Sequence, residues 1–528
     1  AQLEEAARIT GLPAEDIQRA AEMIAKPRED GSRPKTSFML EKGNYWSNNY
    51  LNTASISALA LLCGTGNRPG RMISRLGGHQ RGGIKGGRYP IEKSPDKFAG
   101  RRRKPLDLDR WIESGNVRFA WAVGTTWLGS MTASQGFADT FERLTRASDH
   151  RIEDPERATE ALIRRADSGG MVLVDQDIYL RHPIGSQLAD VILPAATWGE
   201  EDFTRANGER RIRLYSKFYD PPGEARPDWW IAAEVGRRMG YPGFDWTSAN
   251  DVFEEAGRFT RGSRKDYYPL VWLARKTSRR GHDLLREFGT TGIHAPVRLE
   301  NGMLVGTARL HDSTLRLPPP EGPTIHSKVM TAFNSQSGKA NFMKSPWELF
   351  ADFYEAIQPH GDELWITNGR INEIWQSGFD DMQRRRQIMD RWPANFIELH
   401  PEDASARGVE SGDLVAATSD RVPVQTGGFI ARTPEDASWS GLLAAGHIDY
   451  RDARVEAVAI VTDAVRPGVA FMYVLHTKQP ANSLVSRVPD PISGNYRYKL
   501  GVGRVERIGE SPYKHDLSRM SFAPRTIV

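Results

Sequence analysis

Residues 171–175 read MVLVD, and residues 189–214 read ADVILPAATWGEEDFTRANGERRIRL. The first is an apolar run closed by an acid, Asp175; the second opens on Val191-Ile192-Leu193 and stops at Pro194. Both runs are too short for helices and lean on branched aliphatic side chains, which fits neighbouring strands of a parallel sheet. A polar loop follows the second run, with the paired acids Glu200 and Glu201, then Asn207-Gly208-Glu209 and the arginines Arg210, Arg211 and Arg213. Polar groups gathered beyond strand ends mark the place where open α/β sheets bind ligands.

Upstream, residues 117–123 (VRFAWAV) form a third strand candidate ending at Gly124-Thr125-Thr126, and residues 154–166 have the pattern of a connecting helix. Strand, helix, strand in this order predicts an α/β fold with a doubly wound parallel sheet. Residues 1–90 read as helix, a strand at 36–40, a helix at 53–62 and a glycine- and arginine-rich loop, with Pro13 as first-turn residue before AEDIQRAAEMIA. Beyond Glu363 come short strands at 364–367, 396–399, 414–418, 422–426, 457–461 and 470–474, punctuated by Asp413, Asp420, Gly427 and Pro467. That spacing predicts a C-terminal β-barrel domain. The proline-rich residues 318–323 suit an extended crossing into it. Three parts are therefore expected: 1–115, an α/β segment; 116–330, the doubly wound unit; and 331–528, the barrel.

A chain of 528 residues is long enough for several cores. Hydrophobic residues at 39% and charged residues at 26% describe an ordinary globular composition. No apolar run nears the roughly 18 residues of a membrane span. A net charge of +4 argues against general nucleic-acid binding, and the basic run 101–104 reads as a solvated loop. One cysteine, Cys63, leaves no internal disulfide and no multi-cysteine zinc or iron–sulfur site in this sequence; it closes the apolar run 58–63 and reads as a buried small hydrophobe. The sequence opens in a helix-forming segment with neither initiator methionine nor signal peptide, from which we expect the C-terminal part of a longer protein.

The densest polar feature is residues 63–90, CGTGNRPGRMISRLGGHQRGGIKGGRYP. Glycines let backbone amides approach an anion, and arginines supply permanently charged forks for oxyanions or phosphates. Within it stands Arg75-Leu76-Gly77-Gly78-His79-Gln80-Arg81. A guanidinium beside an imidazole suits a small oxyanion, one group for binding and one for proton movement.

Taken in order, these motifs resemble the molybdopterin oxidoreductases of the dimethyl-sulfoxide-reductase family, most closely the large catalytic subunits of its arsenite oxidase and iodate reductase group. The string from Ala189-Asp190 through Pro194 and Glu200 to Asn207-Gly208-Glu209-Arg210-Arg211 carries that resemblance, and it runs over essentially the whole chain. It implies molybdenum held by two molybdopterin guanine dinucleotides, with no protein ligand to the metal. Arg75 and His79 match the arginine and histidine of the family's R-x-G-G-H-Q segment above molybdenum. Cofactor contacts are implied at Gly124, Thr125 and Thr126 after one strand and at Asp175 after the next, with Asp190 and Asn207 as scaffold or cofactor contacts. In the barrel, Gly369-Arg370, Asn372 and Trp375 resemble the T-x-G-R-x-x-x-x-W loop, and His400 and Asp403 the H-P-x-D-A element, where capping a helix is an equal alternative. Asn482 and the pair Tyr498-Lys499 match residues that contact pterin, and Lys42 to Asn49, with Lys42 and Asn48 as contacts, resembles a segment near the active site.

The chain departs from the arsenite oxidases after the histidine, where their H-Q-E-G-Y is replaced by His79-Gln80-Arg81-Gly82-Gly83. Arginine in place of a carboxylate draws in an anion such as iodate more than neutral arsenous acid. The expected reaction is oxygen-atom transfer on a small oxyanion, iodate preferred; arsenite oxidation and a non-catalytic cofactor-binding fragment remain the alternatives. The resemblance also implies an iron–sulfur cluster in an N-terminal part outside this sequence, a small Rieske-type iron–sulfur subunit as partner, and a periplasmic location.

Overall fold

The computed structural model describes residues 2–65, 71, 73–75, 108–113, 115–145, 152–182, 184–206, 210–261, 265–307, 335–371, 374, 385–429, 433–476 and 478–520. Strands β1 (Phe38–Leu40) and β2 (Ile73–Arg75) pair in parallel. β3 (Phe119–Val123), β4 (Val172–Asp177) and β5 (Val191–Pro194) form a parallel sheet in that order. β6 (Phe203–Ala206), β7 (Arg211–Tyr215) and β8 (Ile293–His294) make an antiparallel sheet, and β9 (Arg298–Glu300) with β10 (Met303–Val305) an antiparallel pair. β11 (Leu364–Gly369), β12 (Phe396–Leu399), β13 (Asp413–Gln425), β14 (Ile448–Val461), β15 (Val469–Tyr473) and β16 (Gly501–Glu510) close a barrel in the order β11-β15-β12-β14-β13-β16. The chain is thus α/β with a parallel sheet followed by a C-terminal β-barrel, as the alternation of apolar runs predicts.

The connection from β3 to β4 runs through the helices Ser134–Thr145 and Pro155–Asp167. The second starts where expected: Asp154 caps it by accepting from the Arg157 N–H, and Pro155 occupies a first-turn position whose missing N–H costs nothing. Phe137, Phe141 and Leu144 of the first helix pack against Ala120, Ala122 and Leu173 of the sheet. The barrel has its own interior, in which Ile366, Ile397, Leu399, Val415, Val455, Ala459 and Met472 are almost fully buried. β11 alternates buried and half-buried residues along its length, the period of a strand with one face on a core.

Several expectations need correction. The runs 414–418 and 422–426 are one strand, β13, with an irregularity between Ser419 and Val422 that lets a single strand bend around the barrel. β16 was not anticipated, because GVGRVERIGE is rich in glycine and charge and places only Val505 among the apolar side chains of the barrel interior. β5 spans Val191–Pro194, the apolar run and the proline that stops it, and is preceded by a π-helical turn at Ile184–Leu188. Pro13 is the extended residue preceding its helix rather than a member of the first turn. Cys63 is buried and unpaired. Among the described residues no helix is long and apolar enough to cross a membrane. The proline-rich crossing at 318–323 and the basic run 101–104 lie outside the described residues.

Candidate functional site

A cavity of about 700 Å3 lies where β11, the helix Lys42–Tyr45, the turn at Ser130 and the segment carrying Tyr498 meet. Residues from four distant parts of the sequence line it, among them Lys42, Trp46, Asn368, Arg370, Asn482 and Lys499. Among the described residues of the lining, Lys42, Arg370 and Lys499 supply three cations and Glu41 is the one acid.

A hydrogen-bonded chain holds the site. The Lys499 ammonium donates to the Asn368 carbonyl at 2.5 Å and to its side-chain Oδ1 at 3.2 Å. The Asn368 amide donates in turn to the Tyr498 carbonyl at 2.8 Å and to Asn482 Oδ1 at 3.3 Å. Asn482 then donates to the Ser130 carbonyl at 3.0 Å, so the barrel is tied to the end of the short helix Trp127–Ser130 that follows β3. Asn368 and Asn482 are each buried, and every one of these bonds stands in a poorly solvated place where an unmade one is costly.

The electrostatics follow from the crowding of like charges. Burial, then Arg370, then Lys42 push the Lys499 ammonium down to about 8. Lys42 is itself buried, with its Nζ 5.2 Å from the centre of the Trp46 ring. The Trp46 and Tyr498 rings meet at 4.8 Å, and burial pushes the Tyr498 hydroxyl up to about 12, so it stays a neutral donor. At Gly369 an added Cβ would come 2.6 Å from the Phe471 ring, so the ring packs directly over the bare backbone of β11 here. Three cations, aromatic faces and few acids form a place for a flat, multiply anionic ligand.

A second polar group stands at the ends of β3, β4 and β5. Gly124, with φ +54°, turns the chain out of β3 and donates to the Gln176 carbonyl at 2.9 Å. Thr125 and Thr126 follow, and the Thr126 hydroxyl is buried without a hydrogen-bond partner. The acid that ends β4 is Asp177, paired with Arg181 at 2.7 Å, both almost fully buried. Gln176 donates to Asp228 at 2.6 Å, and the Trp229 indole donates to Glu201 at 3.0 Å. Burial pushes the Glu201 carboxyl up to about 7, with Asp228 and Asp202 adding to the effect.

Of the residues expected from sequence, Lys42, Gly369, Arg370, Asn482, Tyr498 and Lys499 come together around the one cavity. Gly124, Thr125 and Thr126 sit at the end of β3 and do not line it. Asp175 lies inside β4 rather than after it; its carboxylate is buried, lacks a hydrogen-bond partner, and is pushed up to about 6 by burial and then by Asp177. Asp190 is scaffold: it pairs with the buried Arg165 and accepts from the Leu173 N–H. Asn48 caps the helix Asn49–Leu62, accepting from Leu51 N–H at 3.3 Å. His400 caps the helix Pro401–Ala406, and Asp403 accepts from the Gly468 N–H at 2.7 Å; neither reaches the cavity lining. Arg75 ends β2, with its side chain outside the described residues, as are His79, Arg81, Asn207, Asn372 and Trp375.

Sequence reasoning missed Asn368, the hub of the first group, and Asp177 in the second. The signal for Asp177 was present: it stands two residues after Asp175, on the same strand face, and four before an arginine. Nothing local distinguished Asn368, since its partners are more than 100 residues away.

A family model described as Molybdopterin oxidoreductase matches residues 44–238, and one described as Molydopterin dinucleotide binding domain matches residues 364–431 and 447–501. The iodate reductase subunit IdrA of Denitromonas iodatirespirans is 51% identical over 536 residues, covering 100% of this chain and 59% of that protein. The protein of the same name in Pseudomonas sp. (strain SCT) is 51% identical over 535 residues, covering 100% of this chain and 60% of its own length. The arsenite oxidase subunit AioA of Herminiimonas arsenicoxydans is 31% identical over 441 residues, covering 79% of this chain and 49% of that protein. The chain thus spans less than two thirds of each of these relatives.

Proposed function

The chain belongs to the molybdopterin oxidoreductase family, and on that premise we propose that it is part of the catalytic subunit of an oxyanion oxidoreductase, acting by oxygen-atom transfer with iodate as preferred substrate. The observation that carries this reading is 51% identity along the whole chain to iodate reductase subunits, against 31% over 79% of it to an arsenite oxidase.

The residues present fit two molybdopterin guanine dinucleotides. The cavity gathers Lys42, Arg370 and Lys499 against a single acid, and the buried Thr126 hydroxyl waits for a partner at the end of β3. The molybdenum–pterin group supplies the two-electron redox chemistry when bound. Lys42, Arg370 and Lys499 offset the negative charge of the ligand, while Asn368 and Asn482 hold Lys499 and the Ser130 turn in register. The Trp46 and Tyr498 rings supply flat apolar contact and exclude water. Asp175, whose buried carboxylate has no hydrogen-bond partner, would be the acid at the sheet ends to accept from the ribose or guanine of a dinucleotide. Arg75 and Arg81 hold the oxyanion through their fixed charge, and His79 is the titratable group that supplies a proton as an oxygen leaves it. The same reading divides the chain at 115/116 and 330/331, places the full protein in the periplasm, and passes electrons through an iron–sulfur cluster and a small Rieske-type subunit.

The test is a paired assay on the full-length protein with its electron partner, after elemental analysis for molybdenum. Iodate-dependent oxidation of a reduced dye, with little arsenite-dependent dye reduction, is the expected result. Arsenite activity alone would overturn the substrate preference. Neither activity in a molybdenum-replete protein would overturn the oxyanion reading, and a chain that takes up neither molybdenum nor guanine nucleotide would overturn the cofactor reading.

A further inference from the structure

One guanidinium stands behind the cavity and does not line it. Arg497 immediately precedes Tyr498 and Lys499 and is almost fully buried. Its charged group lies 3.8 Å from the centre of the Phe353 ring, 5.7 Å from that of Tyr354 and 5.9 Å from that of Phe350, so three aromatic faces box it. Nη1 donates to the Val488 carbonyl at 3.1 Å and to the Pro489 carbonyl at 3.4 Å. Among the described residues Asp490 is the acid that acts on its charge, through its field alone. A cation buried in this way is a weak source of stability, since an apolar side chain of similar length would fill the box without desolvating a charge. What the planar, permanently charged fork supplies is position.

The box ties both walls of the cavity to one place. On one side, the Tyr354 hydroxyl donates to the Ser47 carbonyl at 3.3 Å, next to Trp46, and Tyr50 stacks on Phe350 at 6.3 Å. On the other, buried Asp490 folds the segment 488–497 onto itself, accepting from the Ile492 and Ser493 N–H groups, and also accepts from the Tyr50 N–H in the first turn of the helix Asn49–Leu62. The two walls meet where the Lys499 N–H donates to the Trp46 carbonyl at 3.3 Å. Lys42 stands on the first wall and Lys499 on the second, their ammonium groups 5.2 and 6.0 Å from the same Trp46 ring. The charged groups that share the cavity with Lys499 are Lys42, Arg370 and Glu41, with the neutral Tyr498 hydroxyl beside them.

We propose that Arg497 is a positioning residue of this site: by clamping the segment 488–497 in the aromatic box it fixes where Tyr498 and Lys499 stand, and through Lys499 how firmly the cavity holds a multiply anionic ligand. The identity of that ligand rests on the cofactor reading above; the clamp does not.

The Lys499 amine reports the position directly. In the full-length, cofactor-free protein, lysines are reductively methylated with 13C-formaldehyde and titrated by NMR, the Lys499 signal being the one missing in Lys499→Arg. In wild type it should titrate near 8. Arg497→Met should move it up by about one pH unit or more, as the ammonium swings away from Arg370 and Lys42 into water, and Arg497→Lys should restore part of the difference. Phe353→Leu, which thins the box but keeps it apolar, should move it the same way by less. Asp190→Ala, which takes the carboxylate from buried Arg165 in the α/β unit, should destabilise the protein and leave the Lys499 titration where it is. In the cofactor-loaded protein, Arg497→Met should release guanine nucleotide about tenfold faster than wild type. A Lys499 titration unmoved in Arg497→Met and Phe353→Leu, equal movement in Asp190→Ala, or nucleotide release as slow as in wild type would overturn the proposal. Wild type that holds neither molybdenum nor guanine nucleotide would count against the cofactor reading instead, and the lysine titration would still decide the clamp.

Discussion

Lys499 is the residue where stability and cofactor retention should pull in opposite directions. Its ammonium is pushed from the ordinary lysine range, near 10.5, down to about 8 by burial and by Arg370 and Lys42. Each unit of such a shift is worth about 1.4 kcal/mol, so holding the charge in the cofactor-free protein costs about 3 kcal/mol at pH 7. The folded form binds fewer protons than the unfolded form between about pH 8 and 10.5, so the cofactor-free protein gains stability as pH rises through that window. Lys499→Met removes the cost but also the two contacts to Asn368, which together are worth about 2 kcal/mol. The variant should therefore be about 1 kcal/mol more stable than wild type at pH 7 and about 2 kcal/mol less stable above pH 10.5. In the cofactor-loaded protein the sign reverses: negative charge relieves the repulsion, and the variant should retain less molybdenum and guanine nucleotide. Urea unfolding of cofactor-free wild type and variant across pH 7 to 10.5, with metal analysis of loaded samples, measures both. Parallel stability curves, or unchanged cofactor content, would refute the reasoning.

Asp190→Ala should cost about 3 kcal/mol, because it leaves the Arg165 guanidinium buried without its carboxylate and the Leu173 N–H without an acceptor; chemical denaturation reads this directly. Asp175 binds its proton more tightly when folded, so its contribution to stability is greatest in acid and is lost as pH rises through about 6; Asp175→Asn should raise the melting temperature at pH 7 and make no difference below pH 4. Gly369→Ala drives a methyl group into the Phe471 ring and should cost roughly 1–3 kcal/mol, with Phe471→Leu restoring part of it in the double variant. Arg75→Ala and His79→Ala in the full-length enzyme should each lower turnover by about 100-fold or more while cofactor content holds, measured by steady-state assay beside elemental analysis.

Local pattern carried a good deal of this protein. β12 runs over the same residues, Phe396–Leu399, that its short apolar run marks, because Phe396, Ile397 and Leu399 are the side chains it buries. The helix Pro155–Asp167 begins where Asp154 and Pro155 stand, since capping is decided by neighbours in the chain. The family's motif order was likewise legible, being a property of sequence alone. Tertiary structure decided the rest. Whether β4 ends at Asp175 or two residues later depends on how far β5 pairs beside it, through Asp177 to Pro194. Whether His400 and Asp403 cap a helix or touch a ligand depends on where the barrel places them, and the barrel also joins two short apolar runs into the single bent β13. Above all, Lys42, Asn368, Asn482 and Lys499 become one site only when the barrel closes and sets its rim against the α/β unit. The charge of each can be read from the sequence, but the depression of Lys499 arises from burial and from cations 129 and 457 residues away along the chain, distances that only folding removes.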